Sequence, residues 1–145
     1  MSENKYRIEI SKTLPATPEL VFDAWLSPES IQKWMCPGEG VTVPEPKIDA
    51  REGGAFDVTM KVGEQLIPHS GVYKKLNRPH ELQFTWKSPG THDLDTLVTI
   101  QIEGIESNQA KLTLIHDLLP SEKAQQDHTG GCTRILECLD GALKE

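Results

Sequence analysis

SEKAQQDHTGGCTRILECLDGAL, residues 121–143, decides the fold. Ala124, His128, Cys132, Ile135, Leu136, Leu139 and Leu143 recur at helical spacing and trace one stripe, while Glu122, Lys123, Gln126, Arg134 and Glu137 face away. The pattern predicts a long amphipathic C-terminal helix from Ser121 onward. Gly130 and Gly131 cost such a helix about 1 kcal/mol each relative to Ala. They imply a bend, a later start of the helix proper, or a close approach of its backbone to a neighbour.

Upstream the period changes to two. Tyr6, Ile8 and Ile10 alternate with Lys5, Arg7, Glu9 and Ser11, which reads as a half-buried first strand. Thr17-Pro18-Glu19 and Ser27-Pro28-Glu29 are two helix starts: a capping hydroxyl, proline where no N–H is needed, and an acid in the positively polarised first turn. Leu20, Val21, Ala24 and Trp25 mark the first helix, Ile31 and Trp34 the second, and Pro37, Gly38 and Gly40 end the pair. VTVPEPKIDA (41–50) is extended, and its prolines confine it to an edge or a bent strand.

Beyond the Glu52-Gly53-Gly54 turn, Phe56, Val58 and Met60 alternate with Asp57, Thr59 and Lys61. GVYKKL (71–76) follows, and then Leu82, Phe84 and Trp86 alternate with Gln83, Thr85 and Lys87. These read as a three-stranded meander, with Asn77-Arg78-Pro79 joining its second and third strands and Ser88-Pro89-Gly90 ending it. Thr96 to Ile105 and Ala110 to Leu118 form a last pair across a hairpin loop at Glu106-Ser107-Asn108. Strand, two short helices, strands and a long helix is an α+β order, and the last helix alone has an apolar face large enough to cover the sheet. The sheet therefore curls around it, with about six to seven antiparallel strands. No repeat or linker interrupts residues 1–145, which read as a single domain.

The composition agrees. At 145 residues, 37% hydrophobic and 26% charged, the chain can bury a core without disulfides or a structural metal. A net charge of −7 with no Lys/Arg cluster disfavours nucleic acid and anionic lipid. The polar start MSENKYRIEI lacks a signal-peptide core, and no apolar run approaches the roughly 20 residues of a membrane span. We expect a cytoplasmic protein without membrane insertion. Cys36, Cys132 and Cys138 are odd in number without CxxC spacing, which suits free thiols. Six residues turn a helix by about 240°, so Cys132 and Cys138 form no chelate on one face.

ATPELVFDAWLSPESIQKWM (16–35), REGGAF (51–56), GVYKKLNRPHELQFTW (71–86), AKLTLIHDLL (110–119) and HTGGCTRILECLDGAL (128–143) stand in order along nearly the whole chain. Together they resemble the homologues of the activator of the heat-shock protein 90 ATPase, within the START-like (SRPBCC) superfamily of birch-allergen-like helix-grip folds. The resemblance implies a hollow between sheet and terminal helix that, across the superfamily, takes lipids, hormones, polyketides or other hydrophobic molecules. Most members of the nearer family are stand-alone bacterial domains, and eukaryotic co-chaperones with a stress-response role give it its name. One departure is plain: Gly131-Cys132 stands where the family typically has Gly-Trp. Loss of that ring leaves space at the mouth of the hollow or lets another side chain fill it.

Face alternation places Trp34, Met35, Phe56, Met60, Tyr73, Phe84, Trp86, His116, His128, Cys132 and Leu136 around this hollow. For the aromatic and sulfur residues the competing reading is plain core packing. His116 interrupts the apolar face of Leu112, Leu114 and Leu118 and points to the terminal helix. It either orients a ligand or is a structural histidine satisfied by backbone, water or Tyr73. His116, His128 and Cys132 converge at one end, but no third orienting group or oxyanion donor accompanies a Cys-His pair, and their spacing is irregular for zinc. We therefore expect no catalytic residue, no metal and no cofactor. His92, Asp93 and Asp95 fit a solvated loop better than a cation site.

Three functions follow from these residues and the resemblance. The leading one is a module binding a small hydrophobic molecule. A protein-interaction module acting on a chaperone ATPase or another partner comes next. The third is an enzyme like the polyketide cyclases and aromatases, resting on analogy and on His116 as one acid or base.

Overall fold

The computed structural model describes residues 6–36, 38 and 40–144. Lys5 and Pro37, read above as a strand residue and a helix terminator, lie outside them. Strand β1 (Tyr6–Leu14) leads to helices α1 (Pro18–Ala24) and α2 (Pro28–Trp34). Then come β2 (Val41–Thr42), β3 (Lys47–Ile48), β4 (Ala55–Asp57), β5 (Met60–Val62), β6 (Gln65–Ile67), β7 (Ser70–Asn77), β8 (Glu81–Trp86), β9 (Thr96–Glu106) and β10 (Gln109–Leu119). Helix α3 (Glu122–Leu143) closes the order.

Seven strands make one curved antiparallel sheet, β1-β10-β9-β8-β7-β4-β3, and α3 packs in its curve against β1 and β10. This is the α+β helix-grip fold expected from the order of elements. The helix starts lie where the hydroxyls are: Thr17 Oγ1 accepts from the N–H of Leu20 at 3.3 Å, Ser27 Oγ from Ser30 at 3.3 Å and Ser121 Oγ from Ala124 at 3.1 Å. Each cap contributes about 1 kcal/mol by satisfying an orphan donor.

Several expectations need correction. Phe56, Val58 and Met60 do not share a strand. The chain leaves the main sheet after Asp57 and builds a second, three-stranded sheet, β2-β5-β6, before returning as β7. All three side chains are nonetheless buried, because alternation persists across the break. The 41–50 segment is extended and at an edge as expected, but it is divided between the two sheets, since Pro44 and Pro46 cannot donate to a ladder: β2 edges the small sheet and β3 the large one. The last hairpin turns on Ser107-Asn108 alone, with Asn108 at φ 63°.

Leu118 does not lie on the inward face. The β1–β10 register skips between Tyr6 and Ile8, Leu118 takes φ 66° and is exposed, and fully buried Leu119 replaces it. Leu20 is exposed too, and Phe22 packs in its stead. Helix α3 runs unbroken through Gly130 and Gly131, and a Cβ at Gly130 would meet nothing within 4 Å. Neither a late start nor a close approach explains Gly130. Gly71 does mark a close approach, because a Cβ there would overlap the Thr85 carbonyl and the Phe56 ring.

Candidate functional site

Between the large sheet and the first half of α3 lies a cavity of about 500 Å³, roofed by the small sheet. Phe84 and Trp86 of β8, Val98 of β9 and Leu114 and His116 of β10 form its floor, as a period of two requires. His128, Gly131, Cys132 and Ile135 face it from α3, one turn apart along the stripe. Trp25 and Met35, the residues that end α1 and α2, close one side, and Val41, Met60, Val62, Ile67 and His69 come from the small sheet and its exit. Ser88, Pro89, Gly90 and Asp127 complete the wall.

Of the residues selected from sequence, Met35, Met60, Phe84, Trp86, His116, His128 and Cys132 line this cavity. Phe56 and Tyr73 do not. They line a separate void of about 20 Å³ behind Phe84, room for a single water. Trp34 is fully buried in the core, its indole N–H donating to Ser30 Oγ at 3.1 Å and its ring 4.6 Å from that of Trp25. Leu136 is buried as well, since the space ends at Cys132 and Ile135, where α2 packs on α3. The face alternation that selected Phe84 and Trp86 extends to Val98 and Leu114. His69 carried no sequence signal, because β5 and β6 are three residues long and Pro68 follows.

Three imidazoles set the cavity's polarity. Thr96 Oγ1 donates its single proton to the Trp86 carbonyl at 2.6 Å, so His116 Nε2, 2.7 Å from the same oxygen, must donate to it. His116 thus finds its partner in Thr96, not Tyr73. Its Nδ1 is left as a bare lone pair. The ring is 2% exposed and lies edge-on to His128, centroids 4.9 Å apart. His128 Nδ1 donates to the Ala124 carbonyl at 2.8 Å and His69 Nδ1 to that of Ile67 at 3.1 Å, while the His69 ring stacks 4.9 Å from Trp86.

Burial, aided by neighbouring His128, holds His116 far below the usual histidine range, at about 3, and burial lowers His69. Burial pushes the Cys132 thiol up to about 12. A thiol held that high is no nucleophile near neutral pH, which removes the driving force from a Cys-His mechanism. Cys36 and Cys138 lie outside the cavity with their sulfurs 2.6 Å apart, and burial chiefly raises Cys36 to about 11. Among the described residues no three His, Cys, Asp or Glu gather as a metal site, and no helix is long and apolar enough to cross a membrane.

The family described as Activator of Hsp90 ATPase homolog 1-like protein matches residues 15–144. No curated protein matches the sequence. A crystal structure from Chromobacterium violaceum superposes with a TM-score of 0.87 at 24% identity, over 97% of this chain and 98% of that one. The AHSA1 protein of Silicibacter pomeroyi gives 0.81 at 27% identity, over 95% and 97%. An HSP90 activator from Plasmodium falciparum gives 0.74 at 19% identity, over 96% of each chain.

Proposed function

The chain belongs to the Activator of Hsp90 ATPase homolog 1-like family, and from that premise we propose that it holds a small hydrophobic molecule between its sheet and α3. The cavity carries this reading. Its 500 Å³ falls within the roughly 300–1,000 Å³ of small-molecule sites, and its wall is mainly aromatic, aliphatic and sulfur-bearing with a few convergent polar groups. The space is open to solvent on one side, so water fills it in the free protein and an apolar occupant gains by displacing that water. Native mass spectrometry of protein purified from its own host, followed by denaturing extraction, tests the proposal. A released compound of defined mass is expected, and a clean apo mass would count against tight carriage.

The family and the Plasmodium falciparum structure support a second reading, action on a chaperone. Leu66, 60% exposed, and Val62 offer apolar surface for it on the small sheet. Stimulation of an Hsp90 ATPase by the purified protein would put this reading first. The carrier reading expects none.

A further inference from the structure

The cavity's polar groups are unbalanced. His116, His69 and His128 each give their ring proton to a protein oxygen, Thr96 Oγ1, the Ile67 carbonyl and the Ala124 carbonyl respectively. A neutral imidazole with its N–H so engaged keeps one nitrogen that accepts and cannot donate. For these rings the free atoms are His116 Nδ1, His69 Nε2 and His128 Nε2. No hydrogen bond within the described residues occupies them, and none is among the buried atoms sealed without a partner, where Trp25 Nε1 alone stands. All three rings line the cavity, so their open nitrogens are acceptors awaiting a donor.

The rest of the wall carries no fixed positive charge. Asp127 stands at the rim with its carboxylate exposed and paired with Lys123 at 3.3 Å, and no Lys or Arg lines the cavity among the described residues. The Ser88 hydroxyl accepts from the N–H of Gly90 at 3.1 Å and keeps its own proton to donate, so the wall also holds a neutral donor, but no cationic side chain among the described residues. An anionic headgroup would meet the imidazole lone pairs and a chain of net charge −7, with no cation in the described wall to pair it. An uncharged ring compound bearing hydroxyl groups would place its apolar body on Trp86 and Phe84 and its O–H donors on the imidazoles.

Resting on the carrier reading above, we propose that the cavity selects uncharged, hydroxyl-bearing ring compounds over anionic lipids and over isosteres without a donor, His116 and His128 accepting the ligand's O–H groups. Burial keeps His116 and His69 neutral, which preserves the acceptor character at physiological pH.

The test uses naphthol, its methyl ether and naphthoate, substituted at one ring carbon, titrated into the full chain by calorimetry or tryptophan fluorescence. Naphthol is expected to bind about tenfold tighter than the ether, the worth of one hydrogen bond, and naphthoate no better than the ether. In His116→Phe or in His128→Phe, whichever ring takes naphthol's single hydroxyl, the naphthol-to-ether ratio should collapse toward one while the ether's own affinity holds. His128→Phe, a change on a half-buried helix position, keeps the test readable should His116→Phe fail to fold. Equal binding of naphthol and ether, tighter binding of naphthoate, or an unchanged ratio in the folded variants would overturn the selectivity while leaving carriage standing. Binding of none of the three would overturn both.

Discussion

The two halves of α3 face the same sheet and do opposite things. From Ile135 onward, Leu136 and Leu139 are buried in a core shared with Trp34, Phe22 and Leu112. Before it, His128, Gly131 and Cys132 leave the cavity open, and Ala124 belongs to a separate small cluster with Ile8 and Leu119. Both halves carry the same stripe. Side-chain volume separates them: branched aliphatics fill the space between helix and sheet at one end, and a glycine, a thiol and an imidazole do not at the other.

Truncation at the packed end should break this contrast most visibly. Leu139→Ala is expected to lose about 2–5 kcal/mol in urea unfolding, while Cys132→Ala, beside space that already exists, loses under about 1 kcal/mol. Equal losses would mean that the cavity is not open in solution.

Acid should act chiefly on the cavity end, with a smaller loss where Asp23, held low by Arg78, becomes protonated. Folding holds His116 at about 3, below its ordinary 6.5, so the neutral ring's contribution is complete above 6.5 and is lost as the pH falls toward the folded value. Between about pH 6.5 and pH 4 the loss approaches about 3 kcal/mol. His116→Phe should flatten the pH dependence of Tm by that share, and a variant as acid-sensitive as the parent would contradict it.

A smaller gain is expected from filling the hollow. Cys132→Trp restores the ring whose absence the sequence announces, and it should raise stability by about 1 kcal/mol and abolish naphthol binding. Smallest in energy is a labelling experiment. With burial pushing its thiol up to about 12, Cys132 should resist iodoacetamide near pH 8 until the protein unfolds, read by peptide mass. Fast labelling would mean a wide mouth.

Much of the fold was legible because its signals are local. Hydroxyl-proline-acid triplets mark α1 and α2, and strict alternation marks β8, β9 and β10, where one face is buried and a slip of one residue would turn every side chain outward. The cavity was legible in part for the same reason: Phe84, Trp86, His116, His128 and Cys132 sit on faces that alternation or helical spacing defines. The small sheet was not, since strands of two or three residues are too short to display a period. His69 and Val62 came with it. Nor was the bulge that exchanges Leu118 for Leu119, because a single αL residue leaves no mark on the pattern around it.

By itself, then, the sequence determined the three helices and the long strands, their order and, apart from residues such as Leu20 and Leu118, the face each turns inward, because capping, turn chemistry and periodicity act between neighbours along the chain. Only the tertiary structure decided which inward residues touch one another and which stand around a void. Leu136 shares the inward face of Cys132, and Trp34 adjoins Met35 at the end of α2, yet Leu136 and Trp34 meet packed neighbours while Cys132 and Met35 border space. It also decided which nitrogen of each histidine carries its proton, since Thr96, Ala124 and Ile67 fix that through contacts seen only in three dimensions. Packing volume and hydrogen-bond partnership are properties of surroundings, and those come from residues distant in the chain.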